Sequence, residues 1–277
     1  MLVHSAYGKS RVRLVQVRRG ESRHDLKDLT VAIRFRGHYD ESYTDGDNNA
    51  VLPTDTMKNT VYALAARDGV DEPEAFGLAL ARHFMDGNPR VVRVRVDVTE
   101  GRWGRIAGAH GDYGDAFVRQ GPDTRTAAVQ AGRQHTFVGA GISDVMILKS
   151  ARSAFEGFLR DEFTTLSETR DRLLATSLTA TWRYRTTEID FGAAWLAVRH
   201  TLLDRFASHQ SESVQHTLHA MGQAVLDRIE YVTAIRLVMP NKHHLPVDLS
   251  SFGLENRNEI FVATEEPYGL IEATLVR

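Results

Sequence analysis

Apolar and polar residues alternate along three segments of the chain, and each segment predicts a half-buried β-strand. The clearest is RVVRVRVDV at 90–98, in which valines fall on one face and charged side chains on the other. The valines of that face are Val92, Val94, Val96 and Val98. TVAIRFRG at 30–37 and TATWRYRT at 179–186 repeat the pattern with arginines on the polar face. Strands buried on both faces would be apolar throughout, so an antiparallel sheet with helices on one face only is predicted.

Four longer segments predict helices between the strands, and they are residues 51–68, 72–89, 191–208 and 211–229. Pro73 near the start of the second segment fits the preference of proline for the first helical turn. At the start of the first segment, Pro53 ends an extended run and Thr54-Asp55 follows. The polar groups there exceed what one helix cap needs. This excess raises the question of whether the helix tip binds a ligand.

The predicted strands and helices recur in the same order in the two halves of the chain. TDTMKNTVYALA from Thr54 aligns with SESVQHTLHAMG from Ser211, and the strands at 30–37 and 179–186 keep both arginines in register. The repeat predicts two similar domains, residues 1–145 and 146–277. Open sheets of this kind leave unpaired strand edges, and closure of several subunits into a barrel would remove them. A symmetric oligomer is therefore expected.

Composition narrows the class of protein. The 277 residues are 42% hydrophobic and 25% charged, which is typical of an ordinary globular protein. A net charge of -2 gives no reason to expect a nucleic-acid or membrane partner, and the arginine rows are interpreted as a solvated sheet face. The chain has no cysteine, and no apolar run is long enough to span a membrane. A cytoplasmic protein is expected.

Common catalytic motifs are missing from the sequence. His216 and His219 are three residues apart on a predicted helix, but no HExxH-like cluster supplies further zinc ligands, so no bound metal is expected. The adjacent His243 and His244 would point to opposite faces of a strand. Polar groups at the ends of elements are what remain as candidates: Lys9, Thr54-Asp55, Val214-Gln215 and the PNKHH segment at 240–244. Each of these, taken singly, is more often structural than functional.

Long blocks of the sequence resemble the urate oxidase (uricase) family in the same order over nearly the whole chain. The blocks are YGKSRVR at 7–13, VLPTDTMKNT at 51–60, FEGFLRDEFTTLSETRDRLLATS at 155–177, MPNKHHLPVDLSSFGLENRNEIF at 239–261 and EEPYGLIEATL at 265–275. The resemblance implies an α+β fold of tandem tunnelling-fold (T-fold) repeats, with an antiparallel sheet and helices on one face. It further implies homotetramers whose barrels enclose a tunnel, with active sites between subunits.

The same resemblance implies oxidation of urate by O2 and water to 5-hydroxyisourate and hydrogen peroxide, without metal or organic cofactor. This is the first step of urate degradation toward allantoin in purine catabolism. On this basis a catalytic relay of Lys9, Thr54 and His243 is expected. The implied urate-binding positions are Thr54, Asp55, Phe155, Arg172, Val214, Gln215 and Asn241. Lysine and threonine-aspartate would come from one chain and the other residues from its neighbour.

The chemistry of these side chains suits urate, a planar anion near neutral pH. The planar Arg172 fork and the Gln215 amide would bond one edge of the purine, and Phe155 would stack on its face. The Asp55 carboxylate would repel an anion, so its backbone N–H in the first helical turn is the useful group.

One block departs from the family. Relatives often have HxHxF where this chain has YGDAF at 113–117, which carries none of the implied site residues. Two alternatives remain open: a zinc-dependent pterin or purine enzyme of the same architecture, and a non-catalytic purine-binding protein.

Overall fold

The computed structural model describes residues 2–277, and its antiparallel strands and helices make an α+β protein. The strands are β1 (Tyr7–Arg19), β2 (His24–Gly37), β3 (Val91–Gly108), β4 (Gly111–Gly132), β5 (Thr136–Lys149), β6 (Leu174–Tyr184), β7 (Val232–Lys242), β8 (His244–Pro246), β9 (Phe261–Ala263) and β10 (Gly269–Val276). The helices are α1 (Glu41–Thr44), α2 (Thr54–Asp68), α3 (Pro73–Gly87), α4 (Phe191–Ser208) and α5 (Val214–Arg228), with a 3-10 turn at Ser250–Phe252.

The chain divides into two compact units. Unit 1 extends to Gly141 and adds Trp182–Trp195, and unit 2 comprises Ile142–Thr181 and Leu196–Arg277. These units group residues by contact, whereas the predicted division into 1–145 and 146–277 follows the repeat and stays a prediction. None of the helices within residues 2–277 has the length and apolarity needed to cross a membrane.

In unit 1, strands β1 to β4 pair in sequence order and antiparallel, as the alternating pattern predicts. Ile33 lies opposite Val96 and Phe35 opposite Val94, and all four side chains are buried. Helix α2 packs on β1, and α3 packs on β3 and β4. The arginines between these apolar positions are exposed, so one face of the sheet is covered and the other is open.

The orientation predicted for Val92 is wrong. In the β2–β3 register Arg36 lies opposite Arg93 and Gly37 opposite Val91, so Val92 is an extra residue. Such a bulge reverses the alternation beyond it, because side chains on a strand have a period of two. Val91 is therefore buried, and Val92 is 44% exposed.

Aromatic rings and a buried ion pair stabilise unit 1. Phe35 contacts both Tyr7 and Phe84 edge to face, at ring-centroid distances of 5.7 and 5.1 Å. Burial of a phenylalanine side chain contributes about 1.5–3 kcal/mol. In the first turn of α3, Glu74 is fully buried and accepts a 2.6 Å hydrogen bond from Arg125 Nη2, while its Oε1 has no partner among the described residues.

The buried Glu74 predicts a pH-dependent stability. Burial, more than any neighbouring charge, raises the pKa of this carboxyl from 4.5 to about 7. Between these values the unfolded chain has lost a proton that the folded chain keeps, so stability falls as the pH rises through this window. The fall should reach up to about 1.4 kcal/mol per pH unit and level off above the folded pKa.

Thermal unfolding measured at pH 5, 6, 7 and 8 checks this expectation. Glu74→Gln should flatten the profile over that range, because it removes the titrating group. Glu212→Gln is the matched control, since Glu212 is exposed and its removal should leave the slope unchanged. A wild-type slope retained in Glu74→Gln would show that another group causes the pH dependence.

In unit 2, β7 and β10 pair antiparallel from Asn241 opposite Gly269 to Ala234 opposite Val276. Helix α5 packs on both strands. The packing is close at Gly222, where an added Cβ would lie 2.8 Å from the Leu275 side chain and 3.1 Å from that of Leu237. The short strands β8 and β9 form a separate antiparallel ribbon that follows directly on β7.

The predicted helices are confirmed, but the predicted register of the repeat is wrong at the helix tips. Helices α2 and α5 both span 15 residues, and they begin at Thr54 and Val214. Matching the helix starts pairs Thr54 with Val214, three residues away from the predicted match with Ser211. The alignment by polar residue types failed because the polar residues precede α5, whereas in α2 they lie inside the first turn.

Candidate functional site

A cavity of about 500 Å³ in unit 2 is lined by six of the predicted site residues. These are Phe155, Arg172, Val214, Gln215, Asn241 and His243. They come from three parts of the unit: the loop between β5 and β6, the tip of α5, and the end of β7. The lining also includes the carboxylates Glu168 and Asp171 and several apolar side chains, among them Leu166, Phe261 and Ile271.

Backbone pairing fixes the loop that carries Phe155 and Arg172, although the loop has no helix or long strand. Phe155 and Thr169 exchange N–H to O hydrogen bonds of 2.7 and 3.1 Å, and Arg172 N–H donates to Ser153 O at 2.9 Å. Ala154 N–H in turn donates to Ser211 O at 2.7 Å, just before α5. The loop is therefore held against the segment that leads into the helix tip.

Arg172 is the main cation of the cavity lining. Its guanidinium lies 5.2 Å from the centroid of the Phe155 ring, within the range of a cation–π contact. Its Nε is buried and has no hydrogen-bond partner among residues 2–277. Burial also lowers the pKa of Arg172 from its ordinary value. A buried donor without a partner is costly, so a ligand that accepts from this edge of the guanidinium would bind favourably.

The tip of α5 adds backbone donors to the cavity. Ser213 is the N-cap, and its side chain accepts from His216 N–H at 3.0 Å, while Thr217 N–H bonds Ser213 O at 3.1 Å. The N–H groups of Val214 and Gln215 have no such partner within the described chain. First-turn N–H groups at the positive end of a helix dipole favour an anion or a carbonyl oxygen.

The end of β7 supplies Asn241 and His243. Asn241 Nδ2 lies 3.5 Å from His243 Nδ1, so the two side chains are neighbours on the lining. His244 lines the same cavity, contrary to the prediction that adjacent histidines face opposite ways. The reason is that β7 ends at Lys242 and β8 begins at His244, so the two histidines do not lie on one continuous strand.

The remaining predicted residues, Lys9, Thr54 and Asp55, belong to unit 1 and are not part of the cavity lining. Lys9 precedes a bulge in β1, because the pairing shifts from Lys9 opposite Ile33 to Val12 opposite Val31. The bulge includes Arg11, whose φ is 57°. Bulges of this kind often redirect a functional side chain. Lys9 is half-buried in the single chain.

Thr54 is not the helix cap that its position suggests. The N-cap of α2 is Pro53, no side chain caps the helix, and Thr54 is the first helical residue. The Asp55 carboxylate accepts from Lys58 Nζ at 2.5 Å and from Asn59 Nδ2 at 3.0 Å. The hydrogen bond from Lys58 is the main cause of the lowered pKa of Asp55, and the charge of Lys9 adds to it. Side chains of the same helix thus bind the carboxylate, so the N–H groups in the first turn of α2 are what remains available to a ligand.

The nine predicted residues therefore form two groups, six on the cavity of unit 2 and three in unit 1. Sequence reasoning missed Phe261 and Ile271, which reach the lining from β9 and β10, and it included His244 only as part of the PNKHH segment. No group of three His, Asp or Glu side chains placed to hold a metal ion is found in the part of the chain that the structure describes. The YGDAF segment lies on β4 in unit 1.

Comparison with known proteins identifies relatives over the full length. The family model described as Uricase matches residues 5–130 and 138–272. The chain is 44% identical over 277 residues to the uricase of Arthrobacter globiformis, covering all of this chain and 90% of that protein. It is 36% identical over 281 residues to the uricase of Danio rerio, covering 99% of this chain and 94% of that one.

Solved structures agree with the sequence comparison. The crystal structure of uricase from Arthrobacter globiformis superposes with a TM-score of 0.95 at 44% identity, covering all of this chain and 95% of the other. A crystal structure of urate oxidase from Bacillus sp. TB-90 has a TM-score of 0.87 at 22% identity, covering 99% of this chain and the whole of the other. The second similarity concerns the fold alone.

Proposed function

The chain belongs to the uricase family and is a urate oxidase, and from this premise we propose that its urate site is shared between two copies of the chain. Urate and O2 are the substrates of such an oxidoreductase. One copy would supply the cavity of unit 2, and a neighbouring copy would supply Lys9, Thr54 and Asp55. The partnerless Arg172 Nε, buried at the cavity wall, supports urate binding there, and the absence of Lys9, Thr54 and Asp55 from the lining supports completion by a second copy.

The cavity suits a planar purine anion. Phe155 offers a ring for stacking, and Arg172 offers a fork that can bond two acceptors on one edge of urate. The Gln215 amide and the N–H groups at the tip of α5 offer further donors along the same edge. Asn241 and His243 are then available to interact with O2 and with the water that reacts later.

Unpaired strand edges support assembly from several copies. Within the described residues β1 pairs only with β2, and β10 pairs only with β7. Leu270 and Val276 on β10 are 62% and 72% exposed, so this edge carries apolar groups that a neighbouring copy would cover. We therefore propose a homotetramer in which such edges pair and barrels close. Location in the cytoplasm stays a prediction that cell fractionation would test.

The proposed chemistry begins with a proton. Lys9 takes a proton from the bound urate anion through the Thr54 hydroxyl, which leaves a dianion that is easier to oxidise. Two electrons then pass from the purine to O2, and two protons, one from this relay and one from water, complete H2O2. The remaining hydroxide adds at C5 of the oxidised purine and gives 5-hydroxyisourate. His243 would move the protons, and Asn241 with Thr54 would hold first O2 and then water above the ring.

The proposal includes turnover without a bound metal or organic cofactor, and a urate assay on metal-stripped protein tests it. Protein treated with excess chelator should still remove the urate absorbance at about 290 nm and should release one H2O2 per urate, since the protein groups alone move the protons. Loss of activity on chelation, with recovery on adding zinc, would favour the zinc-dependent alternative. Urate binding without turnover would favour the non-catalytic one.

A further inference from the structure

Four arginines lie together on the open face of the unit 1 sheet, and the proposed urate oxidation does not use them. Arg34 on β2 lies directly opposite Arg95 on β3, and Arg36 lies opposite Arg93. All four side chains are exposed. Together with Asp97 and Gln130 they line a concavity of about 360 Å³. We call these four residues the arginine cluster.

The positive charge of the arginine cluster is largely uncompensated. Asp97 is the one carboxylate of the concavity, and it bonds Arg95 through two guanidinium nitrogens at 2.6 and 2.8 Å. Within residues 2–277 no carboxylate forms an ion pair with Arg34, Arg36 or Arg93. Like charges placed directly opposite each other across two strands destabilise a sheet. The cluster therefore carries a folding cost that a bound anion would remove.

The arginine cluster lies on the other face of the sheet from Lys9. Lys9 is opposite Ile33, which is buried on the face that the helices cover. Residues directly opposite each other share a face, so Lys9 points toward the helices. Arg34 follows Ile33 and is opposite Gly8, so it points to the open face. A ligand of the cluster would thus occupy a site separate from the proposed relay.

We propose that the arginine cluster binds a compact oxyanion of the phosphate class. Guanidinium forks match the geometry and spacing of phosphate oxygens, and several forks converging on one ion give charge-assisted hydrogen bonds. The Gln130 amide, on the neighbouring strand β4, supplies a further donor at the same concavity. The concavity of about 360 Å³ has room for a small anion or for the phosphoryl group of a larger metabolite.

Titration of the purified full-length protein with inorganic phosphate, at constant ionic strength held with chloride, tests the proposal. The wild type should show saturable binding of one phosphate per chain. Arg93→Gln should weaken that binding about tenfold or more, because it removes one charge-assisted partner. Arg67→Gln is the matched control: Arg67 is an exposed arginine at the end of α2, already paired with Asp68. It should bind phosphate like the wild type.

Two results would overturn the site: no saturable phosphate binding by the wild type, or equal binding by wild type and Arg93→Gln. Arg34→Gln gives a second variant on the same concavity and should lose affinity in parallel. A phosphate monoester that displaces bound phosphate would assign the site to phosphorylated metabolites, and one that does not would assign it to free phosphate. Urate turnover measured without phosphate should be unchanged in Arg93→Gln. A failure of the phosphate-binding proposal is therefore distinguishable from a failure of the proposed catalysis.

Discussion

Lys9→Met is expected to lower kcat for urate oxidation by about 10²–10⁴-fold, the usual contribution of a positioned general base. The substitution keeps a long unbranched side chain but removes the amine, so the β1 bulge and the helix packing should persist. Urate affinity should change little, because the residues proposed to bind the purine edge are elsewhere. Stopped-flow turnover in air and urate titration without O2 would separate the two quantities.

Lys27→Met is the matched control for this experiment. Lys27 is also a lysine on a strand of unit 1, and it pairs with Glu100 at 2.9 Å. It should retain wild-type turnover. A Lys9→Met enzyme with kcat within about twofold of the wild type would remove Lys9 from the proton relay, since general-base loss should cost far more.

Arg172→Ala is expected to weaken urate binding by about 10²-fold or more with a smaller effect on kcat. A hydrogen bond to a charged group contributes about 1.5–3 kcal/mol, and the fork is proposed to make two of them. The variant also exposes the Phe155 ring, because the guanidinium that lies 5.2 Å from this ring in the wild type is removed. Urate titration without O2 gives the affinity directly, and the KM measured in air should rise in parallel.

Two further variants serve as comparisons for Arg172→Ala. Arg170→Ala is the matched control, because Arg170 lies on the same loop with a side chain that is 90% exposed and bonds Glu156. It should bind urate like the wild type. Arg172→Lys keeps the positive charge without the planar fork and should recover only part of the affinity. Wild-type affinity in Arg172→Ala would contradict the binding role.

The sequence predicted the strands of the sheet well, because one face of each strand contacts solvent and the other contacts helices. Polar and apolar residues therefore alternate along the strand. Ile33, Phe35, Val94 and Val96 follow that alternation and are buried. Val92 does not, because a bulge adds one residue to β3, and nothing in an alternating run of valine and arginine marks such a bulge. Local pattern therefore gave the strands but not their irregularities.

The sequence predicted most residues of the candidate site, but it did not predict the contacts that hold them in place. The helix tips were visible as polar groups at a helix start, although Thr54 proved to lie inside α2 and the N-cap proved to be Pro53. The loop that holds Phe155 has no periodicity, and hydrogen bonds to Thr169 and Ser211 fix it. Contacts of this kind depend on the folded chain, as does the placement of Phe261 and Ile271 on the cavity wall.

Mixing the two impaired variants tests whether two chains complete one urate site, provided that urate is kept well below the KM of Arg172→Ala, where both variants are nearly inactive. Lys9→Met and Arg172→Ala chains would be unfolded together, refolded and assayed for urate oxidation beside each variant refolded alone. In a mixed oligomer, some sites receive Lys9 from one chain and Arg172 from the other. Random mixing completes roughly a quarter of the sites, so the mixture should recover about that fraction of wild-type activity. A mixture no more active than the two variants refolded separately would contradict the shared site.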